Sequence, residues 1–285
     1  MKKILFPTDF SETADNSFLY TLHLAKSYDA EIYIVHAFDA PVLSSLHGGQ
    51  PEQVKNVYTT MELGEFEHFQ KEGEKLRNIA EKHQLSDIKV SYIFEAGHLI
   101  SVLKNLSQKE NFDLIVMGTN GSSGLNKKLW GSNTINTMNE LSIPILSVPY
   151  SANFKGLKNI GFTTIFKDSD KEILKTIITA ASYWGGKAKV LHTIEYGGNI
   201  EKKEIQTAEK ITEWTAEFGS DNVEFIILKA DNVKKGVLEF IENEEIDTLV
   251  IAKRNLGFID SLFYSSLSKD LADEIKIPLC VVKEK

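Results

Sequence analysis

The chain has 285 residues, about two domains' worth, and its 42% hydrophobic and 25% charged residues are the balance of a folded globular protein. A net charge of −8 argues against a general nucleic-acid or anionic-membrane surface, and a single cysteine, Cys280, excludes a disulfide framework within the chain. No stretch approaches the roughly 20 apolar residues of a spanning helix, so a cytoplasmic protein in a reducing compartment, with no membrane partner, is expected. Met1-Lys2-Lys3-Ile4-Leu5-Phe6 opens like a signal peptide, but Pro7-Thr8-Asp9 ends its apolar run too early.

Taken in order, the elements alternate between strand and helix. The first strand is expected over 3–7, followed by a helix with Ser11 as N-cap and Phe18, Leu19, Leu22 and Ala25 on its apolar face. A second strand over 31–37 leads to a long loop and a helix over 61–83. The third strand is 88–94, the third helix 99–109 and the fourth strand 114–117. A last helix over 133–141 precedes a fifth strand, 145–148. Strands separated by helices imply a parallel sheet with right-handed crossovers.

The plan then repeats over 159–282, after a short linker at 151–157. Asp113-Leu-Ile-Val matches Asp247-Thr-Leu-Val, and Ile143-Pro144 matches Ile277-Pro278, both 134 residues apart. The earlier elements match at a separation of 156: Lys3-Ile4-Leu5-Phe6 with Asn159-Ile160-Gly161-Phe162, and Val35-His36 with Leu191-His192. Such self-similarity marks a duplicated domain, with boundaries near 1–150 and 151–285. The first copy carries about 22 extra residues, in or near 39–58. Both fifth strands are short, apolar and preceded by proline, and an open edge of that kind needs a partner. Pairing of 145–148 with 279–282 would let one chain imitate a dimer. A further homodimer is left open.

The richest stretch is Gly118-Thr119-Asn120-Gly121, nine residues, then Gly131-Ser132-Asn133-Thr134. It follows the buried strand Leu114-Ile115-Val116-Met117 and runs into a helix. Glycines let main-chain N–H groups approach an anion without a Cβ between, and a helix start favours negative charge. Strand, glycine loop and helix N-terminus together make a phosphate cradle. A flexible surface connection is the alternative that Gly, Ser and Asn always offer.

Ile4-Leu5-Phe6-Pro7-Thr8-Asp9-Phe10-Ser11, with Gly118-x2-Gly121-x9-Gly131-Ser132, resembles the universal stress protein family, in which tandem members are common. The resemblance spans essentially the whole chain, strongly in the first half and loosely in the second. It implies two Rossmann-like (adenine nucleotide alpha hydrolase-like) α/β domains. Each would be a five-stranded parallel sheet of order 3-2-1-4-5 flanked by helices, the two arranged as a pseudo-dimer. It further implies ATP, or AMP or ADP, at the point where strands one and four diverge, with magnesium admissible beside ATP. By resemblance Pro7, Thr8 and Asp9 would face the nucleoside, Asp9 toward the ribose. The backbone of Ala37 would contact adenine and Met117 would line it. Gly118, Gly121, Gly131, Ser132, Asn133 and Thr134 would surround the phosphates.

Several of these residues carry a plainer reading too. Asp9 suits a turn or N-cap as well as a sugar hydroxyl. Lys127 and Lys128 read first as a solvated face, His36 and His192 as core or edge histidines, and His68 and His83 as solvent-facing. No pair of histidines has zinc spacing with a carboxylate. In the second half Asp9 becomes Ile165, Gly118 becomes Ala252, Gly121 becomes Asn255 and Gly131 becomes Ser265, while Ser132 is matched by Ser266. One nucleotide site per chain is therefore expected, with Lys253 and Arg254 keeping some affinity for anions. Three functional classes follow: a nucleotide-binding stress regulator with an unidentified protein partner, a slow ATPase, and a nucleotide-independent scaffold. No Walker A sequence is present. The extra segment 39–58 is a candidate lid.

Overall fold

The computed structural model describes residues 1–38, 51–119, 131–253 and 275–283, with the backbone alone over 51–60. They group into two compact units. Among the described residues the first ends at Ile143 and the second begins at Pro144.

Unit 1 runs β1 (Lys3–Pro7), α1 (Glu12–Tyr28), β2 (Glu31–Phe38), α2 (Pro51–Lys82), β3 (Val90–Ala96), α3 (Leu99–Lys109), β4 (Leu114–Gly118) and α4 (Ser132–Glu140). Its strands lie in the order β3-β2-β1-β4, and the recorded pairs are parallel. β1 is central, so Ile4, Leu5 and Phe6 are wholly buried, as an uninterrupted apolar run must be when helices cover both sheet faces. α1 starts at the expected cap: Ser11 Oγ accepts from the Ala14 N–H at 3.2 Å, and Glu12 and Asp15 complement the positive end of the helix.

Unit 2 takes in β5 (Ile145–Val148), β6 (Asn159–Thr163), α5 (Asp168–Tyr183), β7 (Lys187–Glu195), α6 (Ile200–Phe218), β8 (Val223–Ala230), α7 (Val233–Asn243), β9 (Thr248–Lys253) and β10 (Leu279–Lys283). The strand order is β8-β7-β6-β9-β10-β5. Every pair is parallel except β10 with β5, which run antiparallel with Leu279 opposite Ser147 and Val281 opposite Ile145. The pairing expected of the two fifth strands is thus present, and Ser147 Oγ adds a hydrogen bond to the Leu279 carbonyl at 3.1 Å. β5 groups with the second unit, although it lies in the first sequence repeat.

Two elements differ from the sequence reading. β3 begins at Val90 rather than 88, because the Ile88 N–H closes a turn on the Leu85 carbonyl at 3.4 Å. α2 begins at Pro51, so 51–58 of the extra segment are helical. The rest of the proposed lid, 39–50, lies outside the described residues.

The repeat extends to a pair of carboxylate clamps. Asp113 Oδ2 accepts from the N–H groups of Lys2 and Lys3 at 2.6 and 3.0 Å, and Asp247 Oδ2 accepts from those of Lys158 and Asn159 at 2.9 and 2.8 Å. Each acid ahead of a fourth strand thereby anchors the start of a first strand. Burial pushes the Asp113 carboxyl up, but the two N–H bonds and the nearby amino-terminal charge outweigh it and hold it below its usual value. A lowered carboxyl stabilises the fold above its ordinary range and loses that contribution as acid protonates it. We expect Asp113→Asn to be less stable than the parent at neutral pH, with the gap closing toward about pH 3, as read by urea unfolding at both pH values. A gap independent of pH would contradict the clamp.

Candidate functional site

The tip of β1 is built around one buried threonine. The Thr8 N–H donates to the Val35 carbonyl at 2.9 Å, the last rung between β1 and β2. His36 Nδ1 lies 3.0 Å from the Thr8 carbonyl. A carbonyl only accepts, so the proton sits on Nδ1. Phe10 then turns back with φ 58°, a left-handed conformation uncommon for a bulky residue. Its N–H donates to Thr8 Oγ1 at 3.0 Å, and its ring lies 4.9 Å from that of His36, which offsets the strain. Asp9, between them, is exposed, and its Oδ1 accepts from the Ser11 N–H at 3.2 Å. Within the protein the Asp9 carboxylate therefore braces the turn into α1.

Ala37 is placed by alternation along β2. Glu31 and Val35 bond toward β1, to Lys2 and Thr8, whereas Ile32 and Phe38 bond toward β3, to Lys89 and Gly97. Ala37 shares the parity of Val35, so its main-chain groups face the β1 side, one rung beyond the point where β1 turns away. Aromatic rings bank this end of the sheet: Phe69 and Phe94 lie 6.1 and 6.3 Å from His36, and Phe38 stacks on Phe94 at 4.6 Å. His68 is exposed, yet its ring edge meets Phe10 at 5.9 Å; His83 is also exposed.

At the end of β4, Pro7 and Met117 are buried and Gly118 is half-buried. α4 begins at the N-cap Gly131, which offers no side-chain cap, and no acidic residue stands in its first turn. Such an end leaves main-chain N–H groups for an anion. Ser132 and Asn133 are exposed there. Thr134 is buried instead: its hydroxyl donates to the Gly118 carbonyl at 2.9 Å and lies 3.4 Å from that of Thr119. With the Gly131 N–H bonded to the Thr119 carbonyl at 2.5 Å, this ties the helix start to the strand end. Gly121, Lys127 and Lys128 lie outside the described residues.

Unit 2 repeats the tip. The Thr164 N–H donates to the Leu191 carbonyl at 2.9 Å, His192 Nδ1 to the Thr164 carbonyl at 3.0 Å, and the Phe166 N–H to Thr164 Oγ1 at 2.8 Å, with Phe166 at φ 59°. Burial lowers the His192 pKa, only partly opposed by that hydrogen bond. Exposed Ile165 stands in the place of Asp9. Lys253 is buried, and Arg254, Asn255, Ser265 and Ser266 lie outside the described residues. The two histidines are thus structural pins. The signal that would have revealed the shared tip is Thr-x-Phe at 8–10 and 164–166, with the histidine 28 residues on in both.

Gly118 lies close against α1. A Cβ there would lie 3.0 Å from Thr13 Cγ2, 3.2 Å from Ser17 Oγ and 3.3 Å from the Thr13 carbonyl carbon. The missing side chain lets the first turn of α1 lie against the end of β4. Gly118→Ala should cost about 1–3 kcal/mol in the absence of any ligand, measured by denaturant unfolding. An unchanged midpoint would mean that α1 yields freely.

Among the described residues no helix is long and apolar enough to cross a membrane, and no group of three His, Cys, Asp or Glu could hold a metal ion. The sequence model of the universal stress protein family matches residues 1–149. Two universal stress proteins of Methanocaldococcus jannaschii are similar in sequence. One is 28% identical over 148 residues, covering 52% of this chain and 81% of that protein. The other is 31% identical over 157 residues, covering 52% and 94%. Among solved structures, a universal stress protein of Archaeoglobus fulgidus has a TM-score of 0.68 at 19% identity, over 99% of this chain and 96% of its own. A putative universal stress protein from Pseudomonas aeruginosa gives 0.63 at 13% identity, over 99% and 93%. At those identities the structures speak to the fold alone. The chain belongs to the universal stress protein family.

Proposed function

We propose that the chain binds one adenine nucleotide, in unit 1, and acts as a stress-response regulator whose bound and empty forms differ in affinity for a protein partner. The observation that carries this reading is what meets at the carboxyl ends of three neighbouring strands. Exposed Asp9 follows β1, outward-directed main-chain groups of Ala37 end β2, and an α4 start without a side-chain cap follows β4. β1 and β4 are adjacent, and their connections leave in opposite directions, the place where open α/β sheets take ligands.

In this reading Asp9 accepts from the ribose hydroxyls while its other oxygen keeps the turn. Ala37 offers a donor and an acceptor to the adenine edge, beside Pro7, Thr8 and Met117. Ser132, Asn133 and the first-turn N–H groups of α4 receive phosphate, whether of ATP, ADP or AMP. Gly131 and Thr134 hold that helix start in place. Magnesium, where present, comes with the phosphates of ATP. The glycine loop around Gly121 completes the cradle as the family resemblance implies.

Calorimetric titration with ATP and AMP tests the reading. One site per chain is expected, and Asp9→Ala should weaken it by about 10- to 100-fold, the worth of a hydrogen bond to a charged group. A circular-dichroism melt checks that the variant folds. At a ligand concentration of 100 times Kd the parent should gain about 2.7 kcal/mol of stability. Two equivalent sites, or none, would overturn the reading, and none would leave the scaffold class in its place.

A further inference from the structure

The two strand tips share a backbone but draw their carboxylate from opposite sides. In unit 1 the acid is Asp9, exposed at the tip. In unit 2 it is Asp170, wholly buried at the third position of α5. Asp170 Oδ2 accepts from Thr164 Oγ1 at 2.7 Å and from the Ile165 N–H at 3.4 Å. The N-cap of α5 is Lys167, which offers no side-chain cap, so the acid reaches back over the helix start as a capping-box glutamate does. Ala14 holds the matching position of α1, where a methyl group accepts no hydrogen bond.

We infer that Asp170 is a built-in substitute for a bound ligand. It takes two donors of the unit 2 tip, the Thr164 hydroxyl and the Ile165 N–H, and so closes that tip to the nucleotide that unit 1 admits. A sugar arriving at this tip would meet exposed Ile165 in place of an acid, and two donors already taken by Asp170. The exclusion of nucleotide rests on the function proposed above. The self-capping rests on the hydrogen bonds alone.

The two parts are tested separately. Amide hydrogen exchange on the ligand-free chain reads the first. Asp170→Ala should speed exchange at Ile165 by about tenfold or more, while Asp170→Asn, which keeps an acceptor of the same size, should protect it better. Equal protection in Asp170→Ala and the parent would overturn the self-cap. Ala14→Asp reads the second by installing the acid under Thr8 and Asp9, and should weaken ATP binding by about tenfold or more in calorimetry. Ala14→Asn, which offers the same donors an uncharged oxygen, serves where the buried charge prevents folding, and should weaken binding less. Parental ATP affinity in either folded variant would overturn the exclusion. A parent chain that takes up no ATP would instead sink the proposed nucleotide site, and the exchange comparison would still decide the self-cap.

Discussion

At the tip of β1 one hydrogen bond, from the His36 imidazole to the Thr8 carbonyl, stands where the ladder between β1 and β2 ends. The next rung of a continuing ladder would run from the Ala37 N–H to that same carbonyl. There β1 stops, Phe10 adopts its left-handed turn, and its ring closes over the histidine. Asp9 is left outside and Ala37 faces a strand that is no longer there. The strain of a bulky residue at positive φ, of order 1–3 kcal/mol, persists only because Thr8 Oγ1 and the surrounding rings over-determine the turn.

The same economy governs the opposite wall. Gly118 has no side chain because α1 approaches β4 closely, and Thr134 directs its hydroxyl inward because the start of α4 must be fixed to the end of that strand. Both residues belong to the motif that suggested a phosphate cradle, yet their contacts within the protein are structural. The groups left facing outward are main-chain amides and the short side chains of Ser132 and Asn133. A rigid frame of structural residues presenting main-chain donors is what anion recognition by a helix start requires.

Unit 2 carries the same frame with different groups on it. Threonine, phenylalanine and histidine recur at its tip with nearly the same distances, and the Asp247 clamp matches that of Asp113. What changed is the chemistry displayed on it: an isoleucine where the exposed acid was, and an acid beneath. The two tips thus share the interactions that shape the sheet end and differ in those that face solvent.

Much of the frame was legible in the residues. Apolar runs bounded by turn residues located β1 and β5, helical periodicity located α3, and two matched spacings disclosed the duplication, because burial on both faces of a parallel sheet leaves few residue choices. The start of α2 was not legible, since helix and polar loop share composition there, and Ile88 looked like a strand although its N–H closes a turn. Asp9 as a turn residue was legible, but spacing could not say that Thr134 points inward or that Asp170 reaches back to Thr164. An acid in the first turn of a helix reads as an ordinary partner for the helix dipole. By itself the sequence determined the family, the repeat and the strand–loop–helix units, because these follow from local periodicity and the glycine and proline positions. Only the tertiary structure decided which polar groups turn inward and which face out, because that depends on the neighbour a side chain meets across the fold.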